Sequence, residues 1–161
     1  MQSDIFMKID DVQGESVDSV HAGEIDVQSW SWGASQSGSS QIGGGMGAGK
    51  AMVQDLTFSL NFEKSCPVLT GMLLTGTPFQ QAQLTIRKAG VTPLEYIKII
   101  MKGGIISNVS MSGSPTADTQ SVTVSLNFGY VEVHYTPQAA DGSGGADVTT
   151  QYNIAKNKTG S

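Results

Sequence analysis

Cysteine, proline and histidine are scarce: 161 residues hold one cysteine, five prolines and two histidines. The lone Cys66 cannot close an internal disulfide, so nothing in the chain points to an oxidising compartment, and folding in a reducing cytoplasm is expected. His21, His134 and Cys66 show no spacing that resembles a structural zinc site. Charge is sparse as well, with 14% of residues Asp, Glu, Lys or Arg and a net charge of −5, which argues against a nucleic-acid duplex or a polyanionic membrane as partner. No window approaches the roughly 18 apolar residues of a membrane span. The opening MQSDIFMKIDD lacks a basic stretch followed by a continuous apolar one. No cleaved secretory signal is therefore read, and any export is expected to use another route. The 39% hydrophobic share is modest, but the length suits one domain, 1–161, with a single core.

What the chain has is period-two patterning and glycine. Leu56, Phe58, Leu60 and Phe62 alternate with Thr57, Ser59 and Asn61, which predicts a half-buried strand. Gln83 to Arg87 repeats the pattern, and Val122, Val124, Leu126 and Phe128 alternate with Thr123, Ser125 and Asn127. The apolar phase then slips to Val131, Val133 and Tyr135, which predicts a bulge near Gly129. A second slip, between Val27 and Trp30, predicts another near Gln28. Such kinks suit a sheet bending into a barrel. Tyr96 to Met101 is apolar on both faces, so it is expected to be central or covered, with Ile105 to Met111 pairing beside it across Gly103–Gly104. One helix is expected: Ser65 as its cap, Pro67 in the first turn, an apolar stripe of Val68, Leu69, Met72 and Leu73, and Gly76 to stop it. The expectation is about nine strands and one helix, a mainly β fold.

Two Gly/Ser segments interrupt the strands, 35–50 and 139–146. A loop of about 15 residues without its own structure is uncommon in a compact domain and is usually functional or disordered. Ile42 and Met46, set among glycines, fit docking onto another surface. Gly44 to Lys50 nearly spells a phosphate-binding loop. Ala51 supplies no hydroxyl for Mg²⁺, however, and a strand rather than a helix follows, so a nucleotide site is rejected.

No catalytic constellation emerges. Cys66 at the helix start reads as buried and inert, His21 as a local hydrogen-bonding group after a polar turn, and His134 as an exposed sheet residue. The N-terminal carboxylates, from Asp4 to Asp26, read as a solvated face. In Trp30-Ser31-Trp32 the indoles share one side of a strand and serve as core or subunit contact, while Ser31 points to the opposite, polar side.

In order along nearly the whole chain, the sequence resembles the haemolysin-coregulated protein family of bacterial type VI secretion. The resemblance is carried by Asp4 to Ile9 with Gly14-Glu15-Ser16, His21 with Glu24-Ile25, Trp30 to Gly33, the glycine loop ending at Lys50, and Asp55 to Phe58. It continues through Lys64-Ser65 with Pro67, Leu84 to Gly90, Val122 to Phe128, Tyr135 to Gln138, Asp141-Gly142 and Asn153-Ile154. It implies a small two-sheet β-barrel with one short α-helix, not an enzyme and without a cofactor or metal. Copies would form a homohexameric ring, and stacked rings an inner tube that works with spike and sheath proteins, is expelled with the spike, and carries small effectors. By the same resemblance Ser31, with Gln28 and Ser29, faces the lumen, while Ile42, Gly45, Met46, Gly47, Gly90 and Val91 make ring-to-ring or subunit contacts. The turn at Gly90-Val91-Thr92 is shorter than the family's commoner form. A phage-type tail tube protein and a monomeric ligand-binding barrel are the alternatives.

Overall fold

The computed structural model describes residues 2–36, 51–90 and 92–161. Nine of its strands make one antiparallel sheet: β1 (Ser3–Ile9), β2 (Ile25–Asp26), β3 (Ser29–Ser31), β6 (Leu56–Asn61), β7 (Pro78–Lys88), β8 (Leu94–Ser112), β9 (Ser121–Tyr135), β10 (Val148–Asn153) and β11 (Lys158–Thr159). A separate ribbon pairs β4 (Ala34–Ser35) with β5 (Met52–Val53), the next strands in sequence inside the β3–β6 pair.

β8 and β9 set the shape. Each is long enough to serve two layers. In the first layer the order is β2-β1-β7-β8-β9-β10-β11; in the second, β3-β6 lies against the first half of β9, whose other neighbour is the second half of β8. Tyr96 to Met101 has β7 on one side and β9 on the other, as its two-sided apolar character predicts. The expected hairpin at Gly103–Gly104 is instead a kink within one continuous strand. There the inward-facing set changes phase in both strands together: Ile99 and Met101 give way to Ile106, and Phe128 to Val131.

The predicted bulge near Gly129 is absent, because Gly104 faces Phe128 and Lys102 faces Tyr130 in one unbroken register. Gly103 does the turning instead, with φ of +62°, a conformation glycine adopts without a Cβ penalty. The bulge lies elsewhere, at Ser107 between Ile106 and Asn108. A second irregularity falls between Ile86 and Arg87.

Near Gln28 the chain changes partner rather than bulging. The Val27 N–H donates to Ile5 O at 2.9 Å and the next N–H, from Gln28, donates to Ser59 O at 2.8 Å. Segment 25–31 thus leaves the first layer and joins the second. The expected barrel is found as one bent sheet whose ladder does not close, with two consecutive amides bridging the seam. Its interior is filled by side chains, among them Met7, Leu84, Met101, Leu56, Phe58, Val124 and Leu126.

Helix α1 (Ser65–Thr75) packs Cys66 and Leu69 into this core. Its cap is Lys64 rather than Ser65, which is already the first helical residue; the Lys64 N–H donates to Glu15 Oε2 at 2.7 Å. Val68 leaves the expected apolar stripe and is exposed. Gly76 ends the helix as predicted, in the left-handed region, with its N–H on Leu73 O and the Thr77 N–H on Met72 O.

Candidate functional site

Residues opposite each other in an antiparallel ladder share a face, so the register of the second layer fixes what its outer surface presents. Ser29 and Ser31 of β3 lie opposite Ser59 and Thr57 of β6. Thr57, Ser59 and Asn61 lie opposite Ser125, Thr123 and Ser121 of β9. Those three face Asn108, Ser110 and Ser112 of β8. Four adjacent strands therefore present eleven outward residues, and all are Ser, Thr or Asn. Bulge residue Ser107 keeps this set in phase by absorbing one position of β8.

The hydroxyls bond to each other. Ser29 Oγ is 2.6 Å from Ser59 Oγ, and Thr57 Oγ1 is 2.8 Å from Ser125 Oγ. At the margin, Asp55 accepts from the Ser107 hydroxyl at 2.6 Å and from Asn127 Nδ2 at 2.8 Å, so its charge is tied down. Beneath the face, Trp30 and Trp32 pack against the core, and Trp32 Nε1 donates to Gln54 O at 2.9 Å. The indoles are core-directed and Ser31 is exposed opposite them, as strand parity predicts.

The outer face of the first layer is different in kind. Lys98 lies opposite His134, and Lys102 opposite Tyr130. Glu132 accepts from Tyr130 Oη at 2.9 Å and from His134 Nε2 at 2.8 Å. Burial opposes the Glu132 charge, but these donors hold its carboxyl below the ordinary range. His134 is thus half-buried and bonded rather than simply exposed; its Nδ1 lies 3.1 Å from Thr149 Oγ1. Charge is concentrated on one layer and hydroxyls on the other. Cys66 is wholly buried, and that burial pushes its thiol up, the reverse of what a nucleophile needs.

Of the site residues expected from sequence, Ser29 and Ser31 lie on the hydroxyl face. Gln28 is exposed at the crossover beside it. Gly90 sits in the β7–β8 turn, where it shares a cavity of about 280 Å³ with Lys88, Gln138 and Asp141, so the short turn and the second glycine segment meet at one end of the molecule. Ile42, Gly45, Met46, Gly47 and Val91 lie outside the described residues. Sequence reasoning missed the β6, β8 and β9 members of the face. Their signal was present: the polar phase of β6 and β9 contains only Ser, Thr and Asn.

A bent antiparallel sheet over a filled core, with one short helix packed against it and an uncharged outer face on its second layer, defines a mainly β protein. The sequence profile of the family described as "Type VI secretion system effector, Hcp" matches residues 6–135. Protein hcp1 of Pseudomonas aeruginosa is 50% identical over 159 residues, covering 98% of each chain. Among solved structures, Hcp1 of Salmonella typhimurium superposes with a TM-score of 0.81 at 34% identity, over 99% of both chains. A type VI secretion system effector of Yersinia pestis gives a TM-score of 0.77 at 29% identity, over 94% of this chain and all of that one. The chain belongs to the Hcp family, the tube proteins of type VI secretion, and its role there is structural rather than enzymatic.

Proposed function

We propose that the chain, acting as one tube-forming unit over 1–161, closes edge to edge into a homohexameric ring whose lumen is the hydroxyl face. The observation that carries this reading is the pairing of that face with two open edges. Among the described residues β3 pairs only with β6, and β8 beyond Ser107 pairs only with β9, so the four-strand layer ends in an unpaired backbone on each side. Open edges invite pairing, and two different edges on one layer make a heterologous contact that forms a ring when its rotation closes.

Six copies, the number the family resemblance implies, would enclose a lumen of useful size. Strands about 4.8 Å apart and tilted by about 40° give a 24-strand inner wall roughly 150 Å round and about 48 Å across at the backbone. Serine-sized side chains leave about 40 Å clear, and a 100-residue globule with a radius of gyration near 13 Å is about 34 Å across. A small folded effector fits. The wall offers it many short hydrogen-bonding groups at Ser31, Ser29 and their neighbours, with Gln28 at the rim.

Rings then stack through their ends, at Gly90 beside the turn at Gln138–Gly142 and at Val91 next to it in sequence, and through Ile42, Gly45, Met46 and Gly47. The stack assembles in the cytoplasm inside the sheath and leaves with the spike, without a cleaved signal. Cysteines placed on the two edges test the closure. Ser31→Cys with Ser110→Cys, oxidised, is expected to give a covalent ladder ending at six chains, because Cys66 is buried and takes no part. Only single chains at high protein concentration would refute edge pairing.

A further inference from the structure

Residues 12–24 form a strap across the outside of β1, leading directly into the β2–β3 crossover. Its ends are tied by Gly14 N–H to Gly23 O at 2.8 Å and Ser16 N–H to Glu24 O at 2.9 Å. Two charged clamps hold it down. Asp18 takes Arg87 in two bonds, at 2.7 and 3.0 Å, and also accepts from the Val20 and His21 amides. His21 forms the other clamp. Its ring is buried, stacked on Phe6 with centroids 4.3 Å apart and planes 14° from parallel. Nδ1 lies 2.8 Å from Glu24 Oε2, on the strap, and Nε2 lies 2.8 Å from Glu95 Oε2, on β8.

That geometry has a protonation requirement. An ionised carboxylate only accepts, so both ring nitrogens must carry hydrogen, and only the imidazolium does. A neutral ring would set a bare lone pair against one carboxylate in a buried site. Two carboxylates meet the ring directly, Glu24 on the strap and Glu95 on β8. Around them Lys98 on β8 pairs with Glu95, and Arg87 on β7 pairs with Asp18 on the strap and Asp4 on β1. Asp26 on β2 feels the charges of Asp18 and Asp4. Carboxylates outnumber cations. Burial opposes the proton on His21, but its bonds to Glu95 and Glu24 outweigh burial and raise its pKa above 6.5.

We propose that His21 is a protonation-operated clasp, which holds strap 12–24 and the crossover behind it against β1 and β8 and lets go when the ring loses its proton. Because the folded pKa is raised, the clasp contributes fully below pH 6.5, and its contribution disappears as pH climbs through the folded value. The strap runs into Ile25–Ser31, so on the ring reading above an open strap also loosens the β3 edge offered to the neighbouring copy.

Hydrogen–deuterium exchange of the intact protein tests this from about pH 6 to pH 9, the range over which a raised histidine loses its proton. Exchange in peptide 12–24 is referred to β9 peptide 122–128 to remove the intrinsic rise with pH. Strap exchange is expected to step up as pH rises, with a midpoint above 6.5. Glu95→Gln should lower that midpoint by about one pH unit, since one neighbouring charge is lost. His21→Gln should abolish the step and leave the strap in fast exchange throughout. A flat wild-type profile, or a step that persists in His21→Gln, would overturn the clasp; should His21→Gln fail to fold, wild type and Glu95→Gln decide. Light scattering over the same range separates the second claim. Ring mass falling at the step supports the coupling, while a strap that opens with rings intact refutes it. Rings absent at every pH would sink the ring reading and leave the clasp to the exchange data.

Discussion

Gly104→Ala perturbs the point where the two long strands change layers, and its cost follows from the packing. Gly104 sits between two buried aromatics, opposite Phe79 on β7 and Phe128 on β9. A Cβ at Gly104 would lie 2.8 Å from Phe79 Cε2, and closer still to Phe79 Cζ and to the Asn127 carbonyl oxygen. Carbon contacts are comfortable at about 3.5–4.0 Å, so something must move by roughly 0.7 Å or more. The ring is only 3% exposed, and the carbonyl belongs to the kinked backbone itself. Overpacking of this sort costs about 1–3 kcal/mol, and a clash shared with backbone belongs at the upper end. For a domain of this length, that is a fall in Tm of about 6–12 °C. Calorimetry or urea unfolding measures it. Adding Phe79→Leu should recover part of the loss but not all, since the carbonyl clash remains. A Gly104→Ala protein within about 0.5 kcal/mol of wild type, the range of an ordinary surface substitution, would refute the close approach on which the layer change rests.

Other perturbations have equally definite outcomes. Ser31→Gln places a longer side chain on the hydroxyl face and should reduce effector retention while leaving rings intact; undiminished effector stability in a co-expression assay would remove the lumen role. The Arg87 guanidinium beside Asp18 holds that carboxyl well below its usual 3.8, so the pair stabilises above that value and is lost as pH falls below it. Arg87→Met should therefore lose less stability than wild type on acidification, and parallel acid-unfolding curves would contradict the pairing. Leu69→Ala opens a cavity under the helix at a wholly buried position and should cost about 2–5 kcal/mol in urea unfolding. A smaller loss would mean that α1 is not part of the main core.

Local chemistry was legible in the sequence; long-range pairing was not. Leu56 to Asn61 and Val122 to Phe128 alternate cleanly because one face of each meets the core, and Gly76 ends the helix as its backbone freedom allows. The phase slip after Phe128 was visible too, but an added residue and a left-handed glycine on the partner strand leave the same trace in β9. Only the register, with Lys102 opposite Tyr130, separates them. Ser65 was misread as a cap because a serine before an apolar stripe is a common signal, whereas here Glu15, far away in sequence, accepts from Lys64 at the helix start. The hydroxyl face needed the same non-local knowledge. Ser31 alone says little; its meaning comes from Thr57, Ser125 and Asn108 falling beside it in successive ladders. His21 could be read as a local hydrogen-bonding residue, and its bond to Glu24 is local, but nothing in the sequence announces Glu95, 74 residues away.

The mass of the purified chain by light scattering, with negative-stain images of the same sample, tests edge-to-edge closure most directly. Six-chain particles with a central hole about 40 Å across are expected from the strand count and tilt. A single-chain particle at high concentration, with no hole in any image, would contradict the ring.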